Sequence, residues 1–233
     1  MDIKKEKLAK KIYLYLAGLF ITSLVVSNLI FQKFFYWYPL NIEIFENKLF
    51  ELSVGILPYP ITFLITDLIS EIYGKKKAKD VVITGIFASF FSIIILLISE
   101  AVPAVENSPV SDEEFKKVFS VSSIAVFASM SAYLIAQLVD IRIYHFWKKL
   151  TKGKFLWLRN NFSTFSSQFI DSCLVIGLLC LFNIISWDLF WGLVLSAIIF
   201  KVLVALIDTP FLYFFVWLFR KKFNLKINEE IKF

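Results

Sequence analysis

Six stretches of about 20 apolar residues, near 12–32, 53–73, 81–101, 119–146, 162–186 and 189–219, constrain this chain more than any other feature. A helix of that length crosses the hydrocarbon core of a bilayer, where only helices and closed barrels satisfy their own backbone polar groups. The six stretches leave nothing sizeable for a water-soluble domain. The 58% hydrophobic content also stands above the roughly 45–50% of soluble domains. The expected fold is therefore all-α: a polytopic membrane protein with six transmembrane helices, residues 1–233 forming one domain. The Lys-rich leader resembles a secretory signal, but the first run is too long, lacks a small-residue cleavage pattern and is followed by five more, which predicts a retained helix.

The basic residues set the orientation. Outside the apolar runs they collect in alternate segments: Lys4 to Lys11, Lys75 to Lys79, Lys148 to Arg159, and Arg220 to Lys232. The other connections hold only Lys33, Lys48, Lys116 and Lys117, beside acidic residues such as Glu51, Glu106 and Asp112. By the positive-inside rule both termini are cytoplasmic, in agreement with an even number of helices. The net charge of +6 is thus topological and excludes a nucleic-acid reading, which needs the lysines on one face of a folded domain. Cys173 and Cys180 lie seven apart on one helix face and form neither a disulfide nor a metal motif. No metal or cofactor is expected, and the absence of a GxxxxGK[ST] loop removes ATP hydrolysis by that route.

Polar residues at membrane depth carry the functional signal, because each ionisable group at a helix centre costs about 2.5–3.5 kcal/mol. In "PYPITFLITDLISEIYGKKK", Asp67 and Glu71 are four apart and share a face, with Pro60 free to open the first turns. The bland alternative puts Glu71, and less readily Asp67, at the cytoplasmic interface beside Lys75 and Lys77. An internal echo, "AQLVD" at 136–140 against "SQFID" at 167–171, places Gln137 with Asp140 and Gln168 with Asp171 on two helices joined by a short basic loop. In an antiparallel hairpin, equal depth means a constant index sum, and this pairing brings each Gln level with the opposite Asp. The four side chains can serve as a binding cluster, or simply as interhelical glue worth about 0.6 kcal/mol per hydrogen bond.

In the last run, Lys201 and Asp208 are seven apart on one face, and Lys201 is too central to snorkel to either interface. Its candidate partners are Asp67, Asp140, Asp171 and Asp208. Pro210 frees the Leu206 carbonyl beside Thr209. The first helix offers Ser27 and Asn28, and ends at Lys33.

"SNLIFQK", "PYPITFLITDLISEIYGKKKA", "AQLVDIRIYHFWKK", "LWLRNNFSTFSSQFID" and "KVLVALIDTPFLY" together resemble the queuosine precursor transporter family, also called the vitamin uptake transporter family, of bacterial inner membranes. The likeness runs in order over nearly the whole chain. It implies a six-helix transporter, not an enzyme, importing a 7-deazaguanine (7-cyano-7-deazaguanine, its aminomethyl derivative or queuine) for salvage into tRNA modification. It also implies site residues: Asn28, Asp67, Glu71, Gln137, Asp140, Asn160, Ser163, Thr164, Gln168, Asp171, Lys201 and Thr209 toward substrate, with Lys33, Arg159 and Pro210 in structural or gating roles; Asp208 joins the latter from its place on the face of Lys201.

Such a cargo suits the chemistry of these side chains. A guanine-type edge presents an N–H and an amino group side by side next to a carbonyl, so one carboxylate accepts both donors while an amide or Lys donates to the oxygen. The expected pocket lies between the first, second, fourth, fifth and sixth runs. Asp140, Asp171, Gln137 and Gln168 read the base, and Lys201 pairs with Asp67. Two alternatives stand beside this reading. One is a substrate-binding membrane subunit that moves only with an ATPase partner. The other is an intramembrane aspartyl enzyme, which needs two carboxylates close enough to share a proton. The identity of the base, proton coupling and self-association into a homo-oligomer are left open by the residues; lipid is the one certain surrounding.

Overall fold

The computed structural model describes residues 3–31, 33–36, 43–44, 47–48, 51–119 and 123–233. Helix α1 covers Ile3–Ile30. Two short antiparallel pairs follow, β1 (Phe34–Tyr36) with β4 (Glu51–Ser53) and β2 (Glu43–Ile44) with β3 (Asn47–Lys48). One 3-10 turn at Val54–Ile56 leads into α2 (Tyr59–Ile72), and α3 (Gly74–Ala101), α4 (Asp112–Phe119), α5 (Ser123–Leu150), α6 (Leu156–Leu181) and α7 (Phe190–Phe223) complete the chain. Five of these helices, with the turn before α2 counted into it, are long and apolar enough to cross a membrane, and α5 is a sixth of similar length. The protein is an all-α polytopic membrane protein.

The helices reach further than the apolar runs at their basic ends. Lysines end a hydropathy window, but they do not end a helix, because their stems lie along it while the ammonium groups seek water. The acidic connection at 102–117, which looks irregular in sequence, holds most of α4. Its start is a capping box: the Ser111 hydroxyl accepts from the Glu114 amide at 3.2 Å, and Glu114 Oε2 accepts from the Ser111 amide at 2.9 Å.

Helix α2 is the central one, with 61% of its apolar window buried against 22% for that of α7. The outer helices instead present large side chains outward, such as Phe87, Phe91 and Ile98 on α3, as lipid contact requires. Helices α5 and α6 form the most closely packed hairpin, extended by α7, and α1 packs on α2 and α3. Small residues set the approach: Gly85 of α3 meets the Phe20 ring of α1 so closely that an added Cβ would lie 2.6 Å from it. At the basic end α2 and α3 meet at Gly74, whose φ of +84° is a left-handed value suited to glycine. The C-terminal tail returns over this end. The Ile231 amide donates to the Ile72 carbonyl at 2.8 Å, and Phe233 packs against Tyr13 and Tyr73, so both termini lie on the same basic face.

Candidate functional site

Pro58 and Pro60 bracket Tyr59 at the first turn of α2, where proline is tolerated because the early amides lack intrahelical partners. The Tyr59 hydroxyl donates toward both carboxylate oxygens of Asp171, at 3.3 Å each. Lys201 of α7 donates to Asp171 Oδ2 at 2.5 Å and to the Ser172 hydroxyl at 3.0 Å, and its ammonium lies 5.5 Å from the centre of the Tyr59 ring. The partner of Lys201 is thus Asp171, and the expected pairing with Asp67 is not found. Helix spacing fixes depth and face, and on both counts Asp171 and Asp67 were equivalent candidates. Which one lies across from α7 is decided by helix order.

This charge pair stands in the wall of a cavity of about 280 Å³ on the acidic-loop side of the bundle. The cavity is lined mainly by apolar side chains, with Ser27, Asn28, Ser53, Ser89, Ser92, Ser129, Tyr59, Asp171, Ser172 and Lys201 as its polar members. Helix α3, absent from the expected pocket, supplies Ser89 and Ser92. Ile56, Tyr59 and Lys201 also border a second, smaller cavity of about 30 Å³ that holds Thr164, Gln168 and Asp208, so these three residues form the partition between the chambers. Neither Tyr59 nor these serines stood out in the sequence. Tyr59 is one of nine tyrosines, and serine in a membrane helix readily bonds its own backbone, as Ser92 does to the Ala88 carbonyl.

Beyond the partition lies the echoed hairpin. Ser167 donates to Asp140 Oδ1 at 3.0 Å, which confirms that α5 and α6 run antiparallel within one residue of the expected register. Gln137 donates to the Tyr133 hydroxyl at 2.9 Å. Asp67 faces Asp140 carboxyl to carboxyl. Among the described residues, Asp67 Oδ1, Asp140 Oδ2, Gln137 Oε1 and Gln168 Oε1 are buried acceptors without a donor. Four orphaned acceptors within neighbouring turns are unusual, since nearly all buried polar atoms are paired. Asp67, Asp140 and Gln137 line neither cavity.

Glu71 occupies a separate place at the basic end. Its Oε1 accepts from Arg159 Nη2 at 2.8 Å and from Arg220 Nη2 at 2.6 Å, and its Oε2 accepts from Arg159 Nε at 3.2 Å and the Tyr144 hydroxyl at 3.0 Å. Lys148 stands 3.8 Å away and donates to the Ser70 and Glu71 carbonyls and to Glu230 of the tail. Arg159 also binds the Gly153 and Lys154 carbonyls. This cluster joins α2, α5, α6, α7 and the tail, and closes the basic end. The bland reading of Glu71 is overturned in one respect: it is buried among these cations and not solvated beside Lys75 and Lys77.

The remaining candidates fall outside both groups or between them. Asn160 and Asn161 both donate to the Thr209 hydroxyl, at 3.2 and 3.1 Å, stitching α6 to α7 between Asp208 and Pro210. The Ser163 hydroxyl donates to the Asn160 carbonyl at 3.1 Å. Asn28 donates to the Leu24 carbonyl at 3.0 Å and faces the larger cavity. Lys33 is exposed, and its carbonyl accepts from the Val54 amide at 2.7 Å. The described residues hold no group of His, Cys, Asp and Glu able to bind a metal ion.

Residues 53–215 match the family described as "Putative vitamin uptake transporter". A "Probable queuosine precursor transporter" of Bacillus subtilis (strain 168) is 25% identical over 177 residues, covering 74% of this chain and 76% of the relative. No solved structure matches.

Proposed function

This chain belongs to the vitamin uptake transporter family, and from that premise we propose that it imports a queuosine precursor, a 7-deazaguanine base, across the bacterial inner membrane with both termini in the cytoplasm. The family and the relative are transporters, not enzymes. The observation that carries the reading is the Asp171–Lys201 pair in the wall of a largely apolar cavity. Asp171 accepts the paired N–H and amino donors of the base edge, Lys201 donates to its carbonyl, and the Tyr59 ring supplies a stacking face worth about 1–3 kcal/mol. The base thus substitutes for the bonds the pair makes to itself, which lets it enter without stranding a buried charge. Beyond the partition, the unpaired acceptors of Gln168, Gln137, Asp140 and Asp67 receive the same donors as the base moves toward the basic end. The cluster around Glu71 then has to part for release. The imported base feeds tRNA modification.

Uptake of a labelled 7-deazaguanine into cells that neither make nor otherwise import it tests the proposal. Lys201→Met and Asp171→Asn are expected to abolish accumulation when uptake is normalised to the folded protein present, and full transport by either variant overturns the assignment. Competition among the cyano, aminomethyl and queuine forms identifies the cargo. Flux through the purified chain alone in vesicles excludes an obligatory ATPase partner. Loss of accumulation with an uncoupler brings a proton into the cycle, and the facing carboxyls of Asp67 and Asp140 are the groups to carry it.

A further inference from the structure

A groove at the basic end, distinct from the transport cavities, lies where the α5–α6 connection meets the last turns of α7 and encloses about 620 Å³. Three cations, Lys154, Arg220 and Lys221, border it, and among the described residues its lining includes no carboxylate. Its other flank is aromatic: Phe155, Tyr213 and Trp217 line it and are each at least 42% exposed. Lys221 rests its ammonium 5.1 Å from the centre of the Trp217 ring, an arrangement that keeps the charge at the level of the aromatic belt. The left-handed backbone of Phe155 and Asn224 bends the chain at the two rims.

From this arrangement we propose that the groove binds the headgroup of one anionic phospholipid of the cytoplasmic leaflet. The phosphate meets Lys154 and Lys221 while the acyl chains descend along Trp217 and Tyr213. Charge complementarity selects the occupant, since a zwitterionic headgroup brings a cation of its own into a site that already has three and no acid. The site bears on the rest of the molecule through Arg220. One of its nitrogens holds buried Glu71 at 2.6 Å, and the same guanidinium borders the groove, so a bound phosphate shares a cation with the cluster that closes the basic end.

Trp217 provides a reporter that does not depend on transport. The full-length chain is placed in mixed micelles with brominated phosphatidylglycerol or brominated phosphatidylcholine, and the quenching removed by Trp217→Phe is measured. Phosphatidylglycerol is expected to quench that share more strongly. The preference should fall roughly tenfold or more in Lys154→Gln/Lys221→Gln, given the attraction of each lysine for an anionic surface. It should persist in Lys75→Gln/Lys76→Gln, two exposed lysines outside the groove. Native mass spectrometry should find phosphatidylglycerol retained by the wild type and by the second pair, and lost from the first. Equal quenching by both lipids overturns the proposal, as does an equal loss in both lysine pairs, which marks a diffuse surface potential. Native mass spectra in which the wild type retains added glycerol 3-phosphate but no phosphatidylglycerol also overturn it, because the groove then holds a soluble phosphate and not a lipid.

Discussion

Glu71 and Asp171 are both carboxylates buried in the same bundle, yet they are held in opposite ways. Glu71 has two arginines, a tyrosine hydroxyl and a nearby lysine around it, with Arg159 further fixed by two backbone carbonyls. Asp171 has one lysine and two long bonds from Tyr59, and it faces a cavity. A charge with several redundant partners loses little when one moves away, and so acts as a fastening. A charge with one strong partner beside an open volume can exchange that partner for a ligand. The same chemistry thus serves closure at one end of the molecule and recognition in its interior, and the number of partners separates the two.

The largest effect is expected from Glu71→Gln. It keeps the shape and removes the charge, leaving the fully buried Arg159 with carbonyls and a neutral amide. Breaking a buried pair on one side costs about 3–5 kcal/mol. A clear drop in the thermal unfolding midpoint in detergent is expected, and an unchanged midpoint would show that the cluster fastens nothing.

A smaller effect is expected from packing on the cavity side. A Cβ on Gly55 would lie 2.7 Å from the Ser27 carbonyl and 2.8 Å from Phe31 Cβ, both on or adjoining α1. Gly55→Ala has to push this turn off α1 and should cost about 1–3 kcal/mol. Because Ser27, Phe31 and Gly55 all line the cavity, uptake should fall with stability, unlike in a purely peripheral packing mutant. Lys148→Met should cost about 1–2 kcal/mol, since Glu71 keeps both arginines while two carbonyls and Glu230 lose a donor. Its specific mark is faster hydrogen exchange at the Ile231 amide, which holds the tail to Ile72.

Much of this division was visible in the sequence, and the reasons for what was not are physical. The cost of polarity in lipid marked Asp67, Gln137, Asp140, Gln168 and Asp171 as inward-facing, and all five are buried. The echoed motifs also gave the hairpin register, which the Ser167–Asp140 bond matches to one residue. The partner of Lys201 could not be read, because four aspartates met the same conditions of depth and face. Tyr59 was hidden by the abundance of aromatic side chains, whose lipid-facing and cavity-facing members have the same composition. The role of the tail was invisible for another reason: Glu230 and Ile231 act through contacts more than 80 residues away in sequence, for Lys148, and further still for Ile72. The helix at Asp112–Phe119, by contrast, carried a readable signal in Ser111 and Glu114 that apolar periodicity alone does not reveal.

The smallest change in stability should accompany the most complete loss of function. Removing both charges of the cavity pair together, Lys201→Met with Asp171→Asn, leaves no uncompensated ion. Replacing both members of a buried pair with groups of similar shape is often close to neutral, so the unfolding free energy should move by less than about 1 kcal/mol. The amide of Asn can still accept from Tyr59, and the Met side chain fills the space of the lysine stem. What the double variant lacks is the carboxylate that accepts two adjacent donors and the ammonium that meets a carbonyl, so uptake of the labelled base should vanish while the folded protein persists. A double variant that unfolds like Glu71→Gln would show that the Asp171–Lys201 pair is a second fastening. One that folds and transports would show that recognition lies with the orphaned acceptors of Asp67, Gln137, Asp140 and Gln168.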